Sequence, residues 1–245
     1  DLKELFVYKA LENMHLGPKV HFFTTGLSAQ NGFYIATRGF PFSKSANKQK
    51  HKFFYTYSRF AEERKLVETT ALPSVDSQVV HGLAMIDIIS RIFKLSDVAT
   101  NDGNFGFALR EEKIKVKIID FRVGMSGDVY TYAEGLLQGF LVGNGAYNYL
   151  NFVRTALRDR LSIDKIAEAK AVIESLTQNP KANFDMAVNQ AYEEIVQYAI
   201  KNQSIWRPEG VLNLALKDLA IYSKAIQENF DTFLREVTER AAKQK

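Results

Sequence analysis

Gln78–Lys94, which reads QVVHGLAMIDIISRIFK, is the stretch that most restricts what this chain can become. It is so strongly apolar that a helix here must be buried on most sides rather than lie along a surface. Such a helix needs other elements packed around it. A chain of 245 residues supplies them without help from disulfides or metals. The stretch is not a membrane span, because no run in the chain approaches the roughly 18–20 apolar residues a span requires, so a soluble protein with no transmembrane segment is expected. Cysteine is absent, which removes disulfide frameworks, thiolate metal sites, iron–sulfur clusters and cysteine nucleophiles. The histidines (His15, His21, His51 and His81) show no metal-ligating spacing, so zinc chemistry is not expected either. A net charge of +4 is mild and fits a solvated surface as well as an anionic partner. Asp1–Leu5 has neither a basic n-region nor an apolar h-region, so no cleavable signal is expected.

Around that helix the chain divides into a mixed first half and a helical second half. Asp1–Met14 has apolar residues at helical spacing (Leu5, Tyr8, Leu11) and stops before Leu16-Gly17-Pro18. Lys19–Thr24 and Phe33–Thr37 are β-rich, and the turn residues of Gly26–Gly32 join them as a hairpin. Arg38–Lys52, with Gly39, Pro41 and four lysines, reads as a loop. Asn104–Leu109 and Lys113–Ile119 form a second hairpin around Arg110-Glu111-Glu112. In its second strand Ile114, Val116 and Ile118 alternate with Lys113, Lys115 and Lys117, which puts the lysines on a solvated face. Beyond about Val129 helices are expected over 129–142, 146–160, 163–177, 183–201 and 208–241, with Ser162 as an N-cap and Pro208 opening the last.

Chemistry concentrates in Arg91–Val123, RIFKLSDVATNDGNFGFALREEKIKVKIIDFRV. The long apolar helix runs into a loop rich in Asp and Asn, then a hairpin, then a strand that ends in Asp-Phe. Phosphoryl transfer from ATP needs a carboxylate to orient the attacking hydroxyl, with an amide oxygen and a second carboxylate to hold magnesium against the phosphates. A hairpin between the two ligands would fix their separation.

Ile118-Ile119-Asp120-Phe121-Arg122 resembles the Asp-Phe-Gly motif of kinases, with Arg122 at the glycine position, and Leu95-Ser96-Asp97 followed by Asn104 resembles their catalytic loop. Phe93–Phe105 is most similar to the loop of the lipid and atypical kinases, which follows its helix almost directly. The resemblance implies that Asp97 is the base, Asn104 the first metal ligand and Asp120 the principal one. Asp102, which lies closer to Asn104, remains a rival base. The first helix and hairpin resemble a kinase αC helix with the two strands after it, which makes Glu4 the expected partner of a lysine on a preceding strand. Phe33–Thr37 then leads into a hinge at Ala36–Gly39, where Ala36, Thr37 and Arg38 would offer backbone groups to adenine. A glycine-rich loop and that lysine do not occur among the residues given, so the resemblance implies that they lie elsewhere.

The implied organisation is an α+β, kinase-like fold: residues 1–40 a partial N-lobe with its hinge, 41–125 the catalytic core of the C-lobe, and 126–245 a helical C-terminal subdomain. ATP and Mg2+ are the implied cofactors. Y-K-x-L-E followed by L-G-P-K-V, then N-D-G-N-F-G-F and I-I-D-F-R-V, resembles the divergent kinase-like effectors of intracellular bacteria. That likeness implies delivery into a host cell, where a host protein would be a partner.

Three functions stay open. The first is an atypical phosphotransferase acting on a phosphoinositide, with an inositol phosphate as a further binding partner. The second is a divergent protein kinase or polyanion-regulated pseudokinase, and the third is a non-enzymatic helical interaction module. The basic loop Ser43–Lys52 suits either a solvated connection or a phosphate-collecting, membrane-associating one. Asn101 and Arg122 are candidates to assist at the phosphates. His81 reads as a satisfied core residue and Trp206 as a packing anchor at a helix start. Gly143-Asn144-Gly145 lacks the flanks of a P-loop, no Gly-x-Ser-x-Gly supports a hydrolase, and no basic stripe with interleaved aromatics supports nucleic-acid binding.

Overall fold

The computed structural model describes residues 1–24, 33–37, 53–56, 73–98, 103–110, 113–124, 130–131, 135–142, 164–178, 183–206, 208 and 210–243. The expected loop 38–52 and helix 146–160 lie outside these residues. The first helix, α1 (Leu2–Asn13), opens on the Asp1 carboxylate, which accepts the Lys3 amide at 2.9 Å. Leu2, Leu5, Phe6, Val7, Tyr8, Ala10 and Leu11 are buried almost all the way round it, far beyond the stripe that the spacing predicted. The helix ends in a left-handed residue, His15 (φ 59°), after which the amides of Leu16 and Gly17 both return to the Leu11 carbonyl at 2.8 Å. The turn is so tight that a Cβ on Gly17 would sit 2.9 Å from that of Leu11.

Two antiparallel sheets follow. Strands β1 (Val20–Thr24) and β2 (Phe33–Thr37) pair as the expected hairpin, with Val20 opposite Thr37. The second sheet has three strands in the order β3 (Phe53–Thr56), β4 (Phe105–Arg110), β5 (Lys113–Ile118). The strand β3 was not foreseen from the sequence. Helix α2 (Pro73–Ile92) starts five residues before the expected Gln78, with Pro73 in its first position, where a missing N–H costs nothing. It lies on β5 and approaches the sheet closely at Gly82, where a Cβ would meet Phe107 at 3.0 Å. Lys115 is exposed, as expected of the strand lysines. Lys117 is not on a solvated face, because it is half-buried and its ammonium donates to the carbonyls of His15 (2.5 Å) and Gly17 (3.3 Å). Burial, with the charge of Lys115 beside it, lowers the Lys117 pKa to about 8.

The helical half comprises α3 (Leu136–Val142), α4 (Lys165–Thr177), α5 (Phe184–Lys201), a 3-10 turn (Gln203–Ile205) and the 32-residue α6 (Val211–Ala242). Tyr130 and Thr131 are not helical, so the helix expected over 129–142 begins at Leu136 instead, where the amides of Gly135, just before it, and of Leu137 donate to the Glu236 carboxylate of α6 at 2.6 and 2.7 Å. Asp164, two residues after the expected Ser162, caps α4. The left-handed Gly210, not Pro208, precedes the first turn of α6. Helices α1, α5 and α6 share one continuous core with α2. Phe184 stacks on Phe230 at 4.1 Å and meets Phe93 edge-on. The hairpin joins the same body, since Phe22 and Phe33 both contact the ring of Tyr198 and Phe33 contacts Trp206.

Three polar arrangements tie these elements together. Lys3, 1% exposed, pairs with Asp218 of α6 and with Asp1, while the Tyr130 hydroxyl donates to the other Asp218 oxygen at 3.1 Å. Within α2 the Arg91 guanidinium reaches Asp87 at 2.7 Å and lies so close to α3 that a Cβ on Gly139 would come 2.5 Å from it. His81 is satisfied, as expected, but at an interface and only partly buried. Its Nδ1 faces Glu168 at 3.4 Å and its Nε2 faces the Ser175 hydroxyl at 3.3 Å, joining α2 to α4. Those three side chains have the order of a Ser–His–Glu relay, but Ser175 lies within a helix whose own amides are spent on helix bonds and so supply no oxyanion donors.

Lys3→Met should destabilise the fold by roughly 3 kcal/mol, because it leaves Asp218 without its cation, and adding Asp218→Asn should recover part of the loss. Urea unfolding of the parent, single and double variants measures both effects. Asp87 sets a pH dependence. Burial outweighs the attraction of Arg91 and Lys165 and pushes its carboxyl up to about 7. A carboxyl with a folded pKa above its unfolded value favours the protonated folded form, so this contribution is complete below about pH 4 and is lost as pH rises through 7. Asp87→Asn should therefore flatten the decline in thermal midpoint between pH 5 and pH 8 that the parent is expected to show.

Candidate functional site

The site starts where α2 stops. Lys94 turns left-handed (φ 49°) and the Leu95 amide closes back on the Ser90 carbonyl at 2.8 Å, so the helix is capped without a glycine. The carbonyls exposed by this ending are taken by α6. The Tyr222 hydroxyl donates to Phe93 O at 2.5 Å, and the Asn229 amide donates to Ile92 O and to Tyr130 O, each at 2.9 Å. The loop that follows therefore leaves from a fixed point.

Ser96 then pairs with Arg122 through two backbone hydrogen bonds, of 2.9 and 3.0 Å. This short bridge joins the exit of α2 to the exit of β5. It brings together three of the residues expected in the site. Asn104, 7% exposed, holds both flanks: its carbonyl accepts the amides of Ile119 (2.8 Å) and Asp120 (3.2 Å), while its side-chain amide donates to Asp97 O at 3.1 Å. Asp97 sits in the left-handed region (φ 67°), which costs a non-glycine residue energy and is tolerated where neighbours over-determine the backbone. Its carboxylate oxygen Oδ2 meets Arg122 Nε at 2.8 Å. Asp120 is exposed, with its Oδ1 accepting the Phe121 amide at 2.9 Å, and Phe121 is buried behind it.

A cleft of about 420 Å³ opens beside Asp120, between α1 and β2. Glu4 and Tyr8 line it from the helix, Phe33, Ile35 and Thr37 from the strand, and Ile119 from the end of β5. Glu4, half-buried, finds no ion-pair partner among the described residues. Of the expected hinge, Thr37 faces the cleft. Ala36 pairs with His21 on the other face of the hairpin, so it could contribute only backbone. Arg38, Asn101 and the rival base Asp102 lie outside the described residues, as do the lysines of 43–52.

Sequence reasoning missed Tyr8 as a site residue and the partner of Arg122. Tyr8 follows Glu4 by four positions, hence on the same helix face, which is the signal that was present. Its ring packs on Phe121 with centroids 4.4 Å apart. Burial first, then the charges of Asp120 and Glu4, raise its phenol far above the ordinary range.

Among the described residues no three His, Asp or Glu side chains are grouped to hold a metal by themselves. A different donor set is present. With the Asn104 nitrogen committed to Asp97 O, the amide oxygen of Asn104 and the carboxylate of Asp120 are both hard oxygen donors on residues in backbone contact. Both are oxygen donors of the type that Mg2+ takes. No family model, curated protein or solved structure matches this chain.

Proposed function

We propose that the chain is an ATP- and magnesium-dependent phosphotransferase of the atypical kinase type whose acceptor is a phosphoinositide or an inositol phosphate. The observation that carries this reading is the convergence of Asp97, Asn104 and Asp120 on the Ser96–Arg122 bridge, although six residues of loop and a whole hairpin separate them in sequence. Magnesium, when held by Asn104 and Asp120, would neutralise charge on the transferred phosphoryl group. Asp97 would orient the acceptor hydroxyl and take its proton.

Arg122 supports a phosphorylated acceptor. Its backbone is fixed by the bridge to Ser96, yet its side chain is 79% exposed and only its Nε meets Asp97. The two terminal nitrogens of the guanidinium are then suited to a phosphate on the acceptor, beside the hydroxyl that Asp97 orients. A glycine at this position could supply no such contact. The same ion pair favours a second reading, a pseudokinase in which Arg122 holds Asp97 away from chemistry and a polyanion releases it. Labelled ATP offered with a panel of inositol phosphates, lipids and proteins separates the two: transfer to the inositol series supports the enzyme, whereas nucleotide binding without any transfer supports the pseudokinase.

Asp120→Ala should lower magnesium-dependent nucleotide affinity by at least about 10-fold and leave the thermal midpoint near the parent's, because its side chain is exposed. Calorimetric titration with a non-hydrolysable ATP analogue, with and without MgCl2, reads the effect, and an unchanged affinity removes Asp120 from the metal site. Asp97→Ala should lower turnover by about 10²-fold or more with a smaller change in nucleotide affinity, since it acts on the hydroxyl. If Asp102→Ala gives that pattern and Asp97→Ala does not, the base is Asp102.

A further inference from the structure

We infer that the outward face of the β1–β2 hairpin is a membrane-docking surface, where Phe23 and Tyr34 enter the interfacial layer of an anionic bilayer and Lys19 meets its headgroups. The inference rests on the lipid form of the phosphotransferase reading, in which the acceptor is a phosphoinositide, and names the surface that brings the site to it.

A hairpin seated on a globular body needs only one apolar face. Here that face is Val20, Phe22, Phe33 and Ile35, which join the core, with Phe22 and Phe33 on the ring of Tyr198. The register sends the intervening residues the other way, His21 opposite Ala36 and Phe23 opposite Tyr34. Lys19, just before the strand, continues the alternation, and it is exposed together with His21. Phe23 is 54% exposed and Tyr34 50%, a directly opposed pair of large rings at positions where a half-buried hairpin ordinarily carries polar side chains. Neither ring belongs to the core.

The surrounding sequence selects an anionic partner. From Asn13 to Ala61 the chain has no Asp or Glu, yet it holds seven Lys or Arg and eleven Phe or Tyr. The net charge of the whole chain is +4, so the rest of it is net acidic and positive charge is segregated into the stretch that supplies the hairpin. A bilayer fits this face better than a folded partner does. Two rings, an imidazole and an ammonium fall short of the roughly 800 Å² that each side of a specific protein interface buries. Interfacial anchoring asks for a few rings and cations and for no shape complementarity. Tyr34 also borders the cleft beside Asp120, so a bilayer held on this face lies next to the site.

Flotation of the full chain with phosphatidylcholine vesicles carrying about one-fifth phosphatidylserine tests this. The parent should bind them at least about 10-fold more tightly than pure phosphatidylcholine, and the binding should weaken as salt rises. Phe23→Thr combined with Tyr34→Thr, which keeps β-branched residues in the strands, should lower binding to the anionic vesicles at least about 10-fold with the thermal midpoint unchanged. Phe23→Trp reads the same face without removing a ring. Trp206 is the only tryptophan of the parent, so the added indole should shift the emission to the blue with anionic vesicles while the parent's emission stays where it is. A parent that does not bind the anionic vesicles, a double variant that binds them as the parent does, or a Phe23→Trp emission that does not shift overturns the inference and leaves the phosphotransferase reading standing for soluble inositol phosphates. A parent that ignores vesicles and sediments as a dimer, which the double variant does not, assigns the face to a second copy of the chain and also overturns it. If vesicles bind as expected but labelled ATP gives no transfer to any acceptor, the docking surface stands and the phosphotransferase reading falls.

Discussion

The capture of the α2 terminus by α6 is the contact on which the site depends. An α-helix ends with carbonyls that have no partner within the helix, and leaving them buried and unpaired is costly. Here Tyr222 and Asn229, both 1% exposed, satisfy Phe93 O and Ile92 O, and Asn229 adds Tyr130 O. One pair of side chains thus fixes both the start of the Asp97 loop and the segment that follows β5. The Ser96–Arg122 bridge and the double use of Asn104 O can form only because their two strands of chain are delivered to the same place.

Electrostatics in the cleft follows from the same arrangement. Glu4 and Asp120 converge on Tyr8, and Asp1 stands at the rim. Asp1 has Lys3 beside it, but Glu4 meets no cation among the described residues. The local field therefore favours a positive group in the cleft. Arg122, on the far side of Asp120 in sequence, spends its Nε on Asp97.

Much of the architecture was legible because it rests on periodicity. The alternation of Ile114, Val116 and Ile118 marked β5, and the run through Ile86, Ile88 and Ile89 marked a helix that turns out to be among the most buried in the protein. The resemblance to kinase motifs singles out Asp97, Asn104 and Asp120, and Asn104 bonds to the Asp97 carbonyl and the Asp120 amide. What stayed hidden depends on tertiary contact. Lys117 looks like any strand lysine until the turn at His15–Gly17 places two carbonyls over it. Strand β3 exists through its pairing with β4, and nothing in Phe53–Thr56 alone announces that partner. The start of α3 depends on Glu236, about a hundred residues further on, a distance over which local propensity has no reach. Tyr8 carried no motif, and its packing on Phe121 emerges only from the tertiary structure.

The fastening of α1 has a consequence for the cleft. Lys3 pairs with Asp218 of α6, Lys9 with Glu194 of α5, and the Asn13 side chain donates to the Ala187 carbonyl, so three successive turns of the helix are held from the C-terminal side. Glu4 and Tyr8 cannot swing away from the cleft unless those contacts break. The position of the α1 wall of the cleft is therefore coupled to the carboxyl-terminal helices, some two hundred residues away in sequence.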